Sequence, residues 1–261
     1  MNTYVVEDNL DDTYNVEIIY KEPGYTMNQI IIPFKNENNK LCFAGRLDPM
    51  ARGKVILLYD DECKNISKYK HFKKTYQFEI IMGIQTDSDD PLGIIEMNII
   101  DCINNQNNTS TDNKVYNQIS SDIKSNILMM TFCQKFHHYS SKCINGKPLW
   151  YYKKNNILID LPTHIVSIYD YEINDIKSYN FNEWKTKIVN QIQTIDKSCN
   201  FNQEFIINQW NNMNDIKKIY SIPITLTVSS GFYVRQFVRD LSDKIKIPLM
   251  TFDINRTDIF E

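Results

Sequence analysis

The chain has 261 residues, of which 42% are hydrophobic and 23% charged, and its 29 Lys and Arg against 32 Asp and Glu leave a net charge of −3. Such a chain is long and apolar enough to bury a core, and its composition excludes intrinsic disorder. The slight acidity excludes a protein that grips polyanions with its whole surface, so any nucleic-acid contact must come from local basic patches.

Met1 to Asp12 is acidic and polar, unlike a signal peptide. Val16 to Tyr20 predicts a short strand stopped by Pro23-Gly24, and the spacing of Ile30, Ile31 and Phe34 predicts a helix from about 26 to 35. Residues 44–53 form a turn-rich loop before Val55 to Tyr59, an apolar run expected as a buried strand. Lys68 to Lys74 interleaves lysines with Tyr69 and Phe72, a candidate basic patch or a solvated face. Tyr76, Phe78, Ile80 and Met82 then alternate as one face of a strand. Residues 87–93 are expected to form a loop, and 104–113 to form a polar, low-complexity one expected to be mobile. Ile119, Ile123, Ile127 and Met130 predict a helix.

A second candidate patch runs from Lys147 to Lys154. Between 170 and 221 two amphipathic helices are expected. One carries Trp184, Ile188 and Ile192, with Asn180 and Glu183 placed for a capping box; the other carries Ile206, Trp210 and Met213. Ile224, Leu226 and Val228 alternate as a strand up to Ser230-Gly231. From about Tyr233 a last helix presents Val234, Phe237, Val238, Leu241 and Ile245 as one stripe, with Arg235 and Arg239 off it. Strands and helices mix without a βαβ rhythm, which predicts an α+β fold in one domain, 1–261. No apolar run approaches the roughly 18 residues of a membrane span. The six cysteines include no Cys-x-x-Cys pair and indicate neither zinc nor a disulfide framework. The expected setting is a reducing compartment, the cytoplasm.

Gly45-Arg46-Leu47-Asp48-Pro49-Met50-Ala51-Arg52-Gly53 is the most informative stretch. An Asp before Pro, between two glycines and just ahead of a buried strand, sits on a restricted loop. Its carboxylate is a candidate nucleophile, general base or metal ligand, or simply part of an Asp-Pro turn. Tyr76 by itself reads as a core residue and Arg235 as a helix-surface residue. His71, His137, His138 and His164 lack metal-ligand spacing and read as structural or exposed.

That stretch resembles the TruB signature G-x-L-D-P-x-A-x-G. Lys21-Glu22-Pro23-Gly24-Tyr25-Thr26 resembles the family's K-P-x-G-x-[ST], with one residue inserted. Lys74-Thr75-Tyr76 through Gly83, Thr86-Asp87-Ser88-Asp89-Asp90 and Gly93 resembles K-x-Y…L-G-x-x-T-D-[ST]-x-D…G. Ser229-Ser230-Gly231-Phe232-Tyr233-Val234-Arg235 with Asp240-Leu241 resembles S-x-G-x-Y-[IV]-R…D-L. A weaker block, Tyr139-Ser140-Ser141 with Gly146-Lys147-Pro148-Leu149, resembles Y-S-A…G-K-x-L. The blocks span about residues 16–256, leaving out the helical stretch near 174–220.

The resemblance implies a pseudouridine synthase catalytic fold, with a central mixed, mostly antiparallel sheet flanked by helices and a helical insertion at about 174–220. It implies isomerisation of uridine to pseudouridine in RNA, with uridine 55 of the tRNA T loop as target and no cofactor or metal. Asp48 would attack C1′ of the ribose, Tyr76 would stack on the flipped uracil and serve as base for the sugar proton, and Arg235 would pair with Asp48. Ile254 would touch the uracil and Asp90 lie beside the site; Arg46, Lys21 and Lys147 complete the expected substrate contacts. The expected partner is the tRNA T arm, bound by a monomer away from membranes.

Three departures qualify the match. Phe43 stands where the bacterial family usually has His, which bears on the preference for the T loop. Phe136-His137 replaces an expected Pro-Pro pair, and with Glu261 close behind the last motif the C-terminal PUA domain of many relatives is expected to be absent. Another RNA substrate is therefore the runner-up. A non-catalytic RNA-folding chaperone and a glycoside hydrolase using Asp48 with Asp87, Asp89 or Asp90 are the remaining alternatives.

Overall fold

The structure is a computed structural model that describes residues 4–9, 15–35, 39–100, 109–214 and 216–261. In chain order its elements are β1 (Tyr4–Asn9), β2 (Val16–Lys21), α1 (Met27–Ile31), β3 (Leu41–Ala44), β4 (Arg52–Tyr59), α2 (Ile66–Lys70), β5 (Lys73–Met82), β6 (Ile84–Thr86) and β7 (Ile95–Asn98). There follow α3 (Thr109–Asn126), β8 (Met130–Lys135), β9 (Cys143–Ile144), β10 (Lys147–Pro148), α4 (Leu149–Lys154), β11 (Thr163–Ile173) and β12 (Lys177–Asn180). The chain continues through α5 (Phe181–Thr194), α6 (Gln203–Asn212), β13 (Lys218–Val228), α7 (Val234–Ile245) and β14 (Leu249–Phe260).

Among the described residues ten strands make one sheet in the order β1-β2-β4-β14-β5-β13-β11-β8, with β3 added to β4 and β12 to β13. Its pairs are antiparallel except β14 with β4, so the expected mixed, mostly antiparallel α+β architecture is present. Alternation on β5 explains the layering. Ile80 and Met82 enter the core shared with α1, α3 and α7, while Ile81 between them joins Trp184, Ile188 and Trp210 of α5 and α6. A smaller cluster under α2 holds Ile18, Ile56 and Tyr69.

Pro223 lies inside a central strand, which proline ordinarily cannot do. Here β13 changes partners around it: Ser221 pairs with Lys177 of β12, and Ile224 pairs with Ile173 of β11. The missing N–H falls at the junction, where no ladder bond is lost.

Several expected boundaries move. Pro33 turns the end of the 26–35 helix into a single 3-10 turn after Ile31. Of the loop expected at 104–113, residues 104–108 lie outside the described residues and 109–113 open helix α3. Met130 belongs to β8 and is exposed, so it does not continue that helix. Residues 218–221 are strand rather than helix. The cap of α5 is the Asn180 half of the expected box, its side chain accepting from the amides of Asn182 and Glu183. No helix among the described residues is long and apolar enough to cross a membrane.

Candidate active site

Leu47, Met50 and Ala51 are buried and pin the loop between β3 and β4, leaving the Asp48 side chain 37% exposed between them. A turn closes it through Ala51 N–H to the Asp48 carbonyl at 3.1 Å. Lys21, with no exposed surface, donates its ammonium to the carbonyls of Glu22 (3.1 Å), Pro49 (3.1 Å) and Ala51 (2.5 Å). Three acceptors match the three N–H bonds of the charged form. Burial nevertheless draws its pKa down to about 7, against the opposing pull of Asp48.

The two glycines flanking the loop have one cause. The buried guanidinium of Arg256 donates to the carbonyls of Lys54 (2.7 Å) and Gly45 (2.8 Å). A Cβ on Gly53 would lie 2.3 Å from the Arg256 carbonyl oxygen, and its φ of +121° is open only to glycine. On Gly45 a Cβ would approach Arg256 Nη1 to 3.2 Å.

Arg235, in the first turn of α7 and 5% exposed, crosses to this loop. Its Nε and Nη2 lie 2.9 and 2.8 Å from Oδ2 of Asp48. Nη1 donates to the Ser88 carbonyl at 2.8 Å, Nη2 to the Tyr139 carbonyl at 3.2 Å, and Asp90 Oδ2 lies 3.7 Å away. Burial works against the guanidinium's charge, but Asp48, Asp90 and Asp89 outweigh it and raise the pKa. Asp90 is itself buried, accepts from Ser88 Oγ (2.7 Å) and the Leu92 amide (3.0 Å), and is pushed upward by burial.

Tyr76 and Ile254 belong to the buried cluster that also holds Leu47 and Ala51 beside Asp48, and Val234 beside Arg235. Arg235 thus joins positions 48 and 90, Tyr233 lies near both Asp48 and Tyr76, and Ile254 shares the large buried cluster with Tyr76. Tyr233, not singled out by the sequence, is half-buried there; burial and then Asp48 raise its pKa. Arg46 is exposed at the rim with its guanidinium 5.4 Å from the Phe43 ring centroid. Lys147 is exposed on the β9–β10 hairpin, its ammonium 4.2 Å over Tyr151, outside the buried cluster. Lys21 lies beneath the loop, where no substrate reaches it. The other candidate patch is thinner than it reads, because Lys74 is buried and caps the carbonyls of Lys70 and Phe72. Among the described residues no group of three His, Cys, Asp or Glu could hold a metal ion.

The helical pair braces the site from the opposite face of the sheet. The Trp210 indole N–H donates to the Pro91 carbonyl at 2.9 Å, and the Thr194 hydroxyl donates to the Gly24 carbonyl at 3.2 Å. Gly24 N–H in turn donates to the Pro49 carbonyl at 2.9 Å.

A half-exposed carboxylate held by a buried guanidinium and set among apolar side chains keeps an anionic oxygen accessible at the surface. Residues 34–194 match the family described as TruB family pseudouridylate synthase (N terminal domain). That is over half of the sequence, and the chain belongs to the TruB family of pseudouridylate synthases, which are isomerases.

The tRNA pseudouridine synthase B of Ureaplasma urealyticum serovar 10 is 28% identical over 246 residues, 94% of this chain and 85% of the relative. That of Staphylococcus saprophyticus is 23% identical over 92% of this chain, which spans 64% of the relative's length. The crystal structure of a Cbf5-Nop10-Gar1 complex shares the fold, with a TM-score of 0.52, 12% identity, and coverage of 94% of this chain and 49% of that one.

Proposed function

We propose that the protein isomerises uridine to pseudouridine in tRNA, at uridine 55 of the T loop, with Asp48 as nucleophile and no cofactor. The observation that carries this reading is the Arg235–Asp48 pair. Nε–H donates to Oδ2 and Nη2 lies 2.8 Å from the same oxygen, which keeps the carboxylate in register and leaves Oδ1 outside the pair for attack. The relatives' names supply the tRNA.

A base inside a folded loop must be extruded to be reached, and Tyr76 offers the face on which it stacks while Ile254 closes the apolar wall. Oδ1 attacks C1′ as the N1–C1′ bond breaks. The freed uracil turns over, and C5 bonds to C1′ as the carboxylate leaves. The C5 proton passes to solvent and N1 gains one, so the balance is an isomerisation. Where the carboxylate instead leaves by elimination to a glycal, Tyr76 takes the C2′ proton and returns it to C2′ as C5 bonds to C1′. Arg46 and Lys147 contact the RNA, Asp90 acts through Arg235, and Lys21 acts through the loop it holds. The chain works as one catalytic unit, a monomer in the cytoplasm.

A second reading, the same reaction on a different RNA, is favoured by one observation: Phe43 carries the exposed Arg46 guanidinium against its ring, a surface for an unpaired base. The experiment uses unmodified tRNA transcript with C5-tritiated uridine, and follows tritium release by the wild type and Asp48→Ala without added metal. Release that persists in the variant removes Asp48 from the reaction. Mapping of the modified nucleotide decides between the T loop and another site.

A further inference from the structure

Behind the Asp48–Arg235 pair lies a buried polar contact that the reaction itself does not use. His137 Nε2 lies 3.0 Å from Asp89 Oδ2, with both side chains 2% exposed. The tautomer follows from the neighbours. The Tyr139 backbone amide, which can only donate, points at His137 Nδ1 at 3.1 Å, so Nδ1 carries no proton and Nε2–H donates to Asp89. The other Asp89 oxygen, Oδ1, faces Arg239 Nε at 2.6 Å. Oδ2 therefore accepts from His137, while Oδ1 faces the Arg239 guanidinium without an aligned hydrogen bond, and the charges of Arg239 and Arg235 oppose the burial that pushes Asp89 up to about 8. The ring of His137 is held neutral by burial and by the nearby charges of Arg235, His138, Arg239 and Lys153.

The contact joins two segments that meet at Arg235. One is the 87–90 loop, whose Ser88 carbonyl accepts from Nη1; the other is the 137–139 turn, whose Tyr139 carbonyl accepts from Nη2. A second tie between them runs from the Tyr139 hydroxyl to Asp87 Oδ2 at 2.6 Å. Asp89 is anchored from behind, its carbonyl accepting from the Thr251 amide (2.9 Å) and hydroxyl (2.6 Å), and its φ of +59° is a left-handed conformation that those bonds hold.

We infer that His137 and Asp89 are positioning residues: their contact fixes the spacing of the two carbonyls that aim Arg235 at Asp48. The inference rests on the proposed role of that pair, and its test reads the guanidinium directly as well as turnover. His137→Leu removes both bonds of the ring, Asp89→Ser replaces the carboxylate by a hydroxyl one atom shorter in reach, and His137→Gln keeps one donor and one acceptor.

In His137→Leu and in Asp89→Ser, the single-turnover rate should fall about a hundredfold, the cost of an angstrom-scale misplacement, with KM for the RNA changed less than about twofold. The double variant should lose no more than either single one, and His137→Gln should recover most of the rate. By NMR, the Nε–H resonance of Arg235 should move or lose its protection from exchange in the two disruptive variants. That of Arg52, paired with Asp253 at 2.8 Å, should stay put as the control.

An unmoved Arg235 resonance overturns the inference even in a protein without activity. So does a normal rate in both disruptive variants, or loss of folding in both, which would make the contact merely structural. A wild type that isomerises no uridine while the Arg235 resonance responds as expected would instead sink the proposed function and leave the positioning contact standing.

Discussion

Arg235 meets Asp48 at a single carboxylate oxygen, Oδ2, which accepts from Nε–H at 2.9 Å and lies 2.8 Å from Nη2. A fork facing both oxygens would occupy the whole carboxylate; this geometry orients the group and keeps half of it available. Arg235→Lys keeps the charge but loses the fork and the carbonyls that aim it. Turnover should fall about a hundredfold to a thousandfold, the loss typical for one preorganised electrostatic group, with little change in KM. Steady-state tritium release checks it, and an unchanged kcat would show that charge alone suffices.

Tyr76 separates stacking from proton transfer. Tyr76→Phe keeps the ring and should leave RNA affinity intact while turnover falls about a hundredfold or more, as for a lost general base. Tyr76→Leu should also weaken binding by about 1–3 kcal/mol through lost stacking. Full activity of Tyr76→Phe would exclude the hydroxyl from the chemistry.

Trp210 tests the brace. Trp210→Phe retains an aromatic filler but leaves the Pro91 carbonyl without its donor. The loss should be about 1–3 kcal/mol, or about 2–4 °C in Tm for each kcal/mol. Calorimetry reads it directly, and an unchanged Tm would remove that hydrogen bond from the accounting.

Lys21 predicts a pH dependence of stability. The folded chain releases its proton near 7, the unfolded chain near 10.4. Between those values the unfolded state binds more protons, so the unfolding free energy rises with pH, by at most about 1.4 kcal/mol per unit from this group. Urea unfolding of the wild type against Lys21→Met at about pH 6.5, 8 and 9.5 should show the wild type gaining on the variant as pH rises. A constant difference would place the Lys21 proton outside that window.

Gly53→Ala should prevent folding, because Arg256 backbone atoms occupy the space a methyl needs: its carbonyl oxygen would lie 2.3 Å away and its nitrogen 2.5 Å. Soluble, folded alanine variant with an unperturbed spectrum would contradict the packing described for β4 and β14.

The fold class and the residues that gather around Asp48 were more legible in the sequence than the individual strands of the scaffold. Asp48, Tyr76 and Arg235 stand in short local patterns, and α5, α6 and α7 have strong apolar stripes. Strand β14 was missed because its alternation is broken twice, at Asp253 with φ +49° and at the register shifts around Asn255 and Arg256. Arg256 and Lys21 are long cations that a sequence places at the surface; only the assembled loops show the carbonyls that bring them inside. His137 and Asp89 lie 48 residues apart, so no spacing rule connects them.

Strand β14 has a further consequence for how the molecule is made. It lies between β4 and β5, the strands that carry the Asp48 loop and Tyr76, yet it is translated long after both. A nascent chain on the ribosome therefore holds the start of β4, at Arg52 and Gly53, and one edge of β5 without their shared partner until residues 249–260 emerge. Residues 249–260 thus join, late in synthesis, the strands that carry the Asp48 loop and Tyr76, and the β5 edge stays open to mispairing until they do.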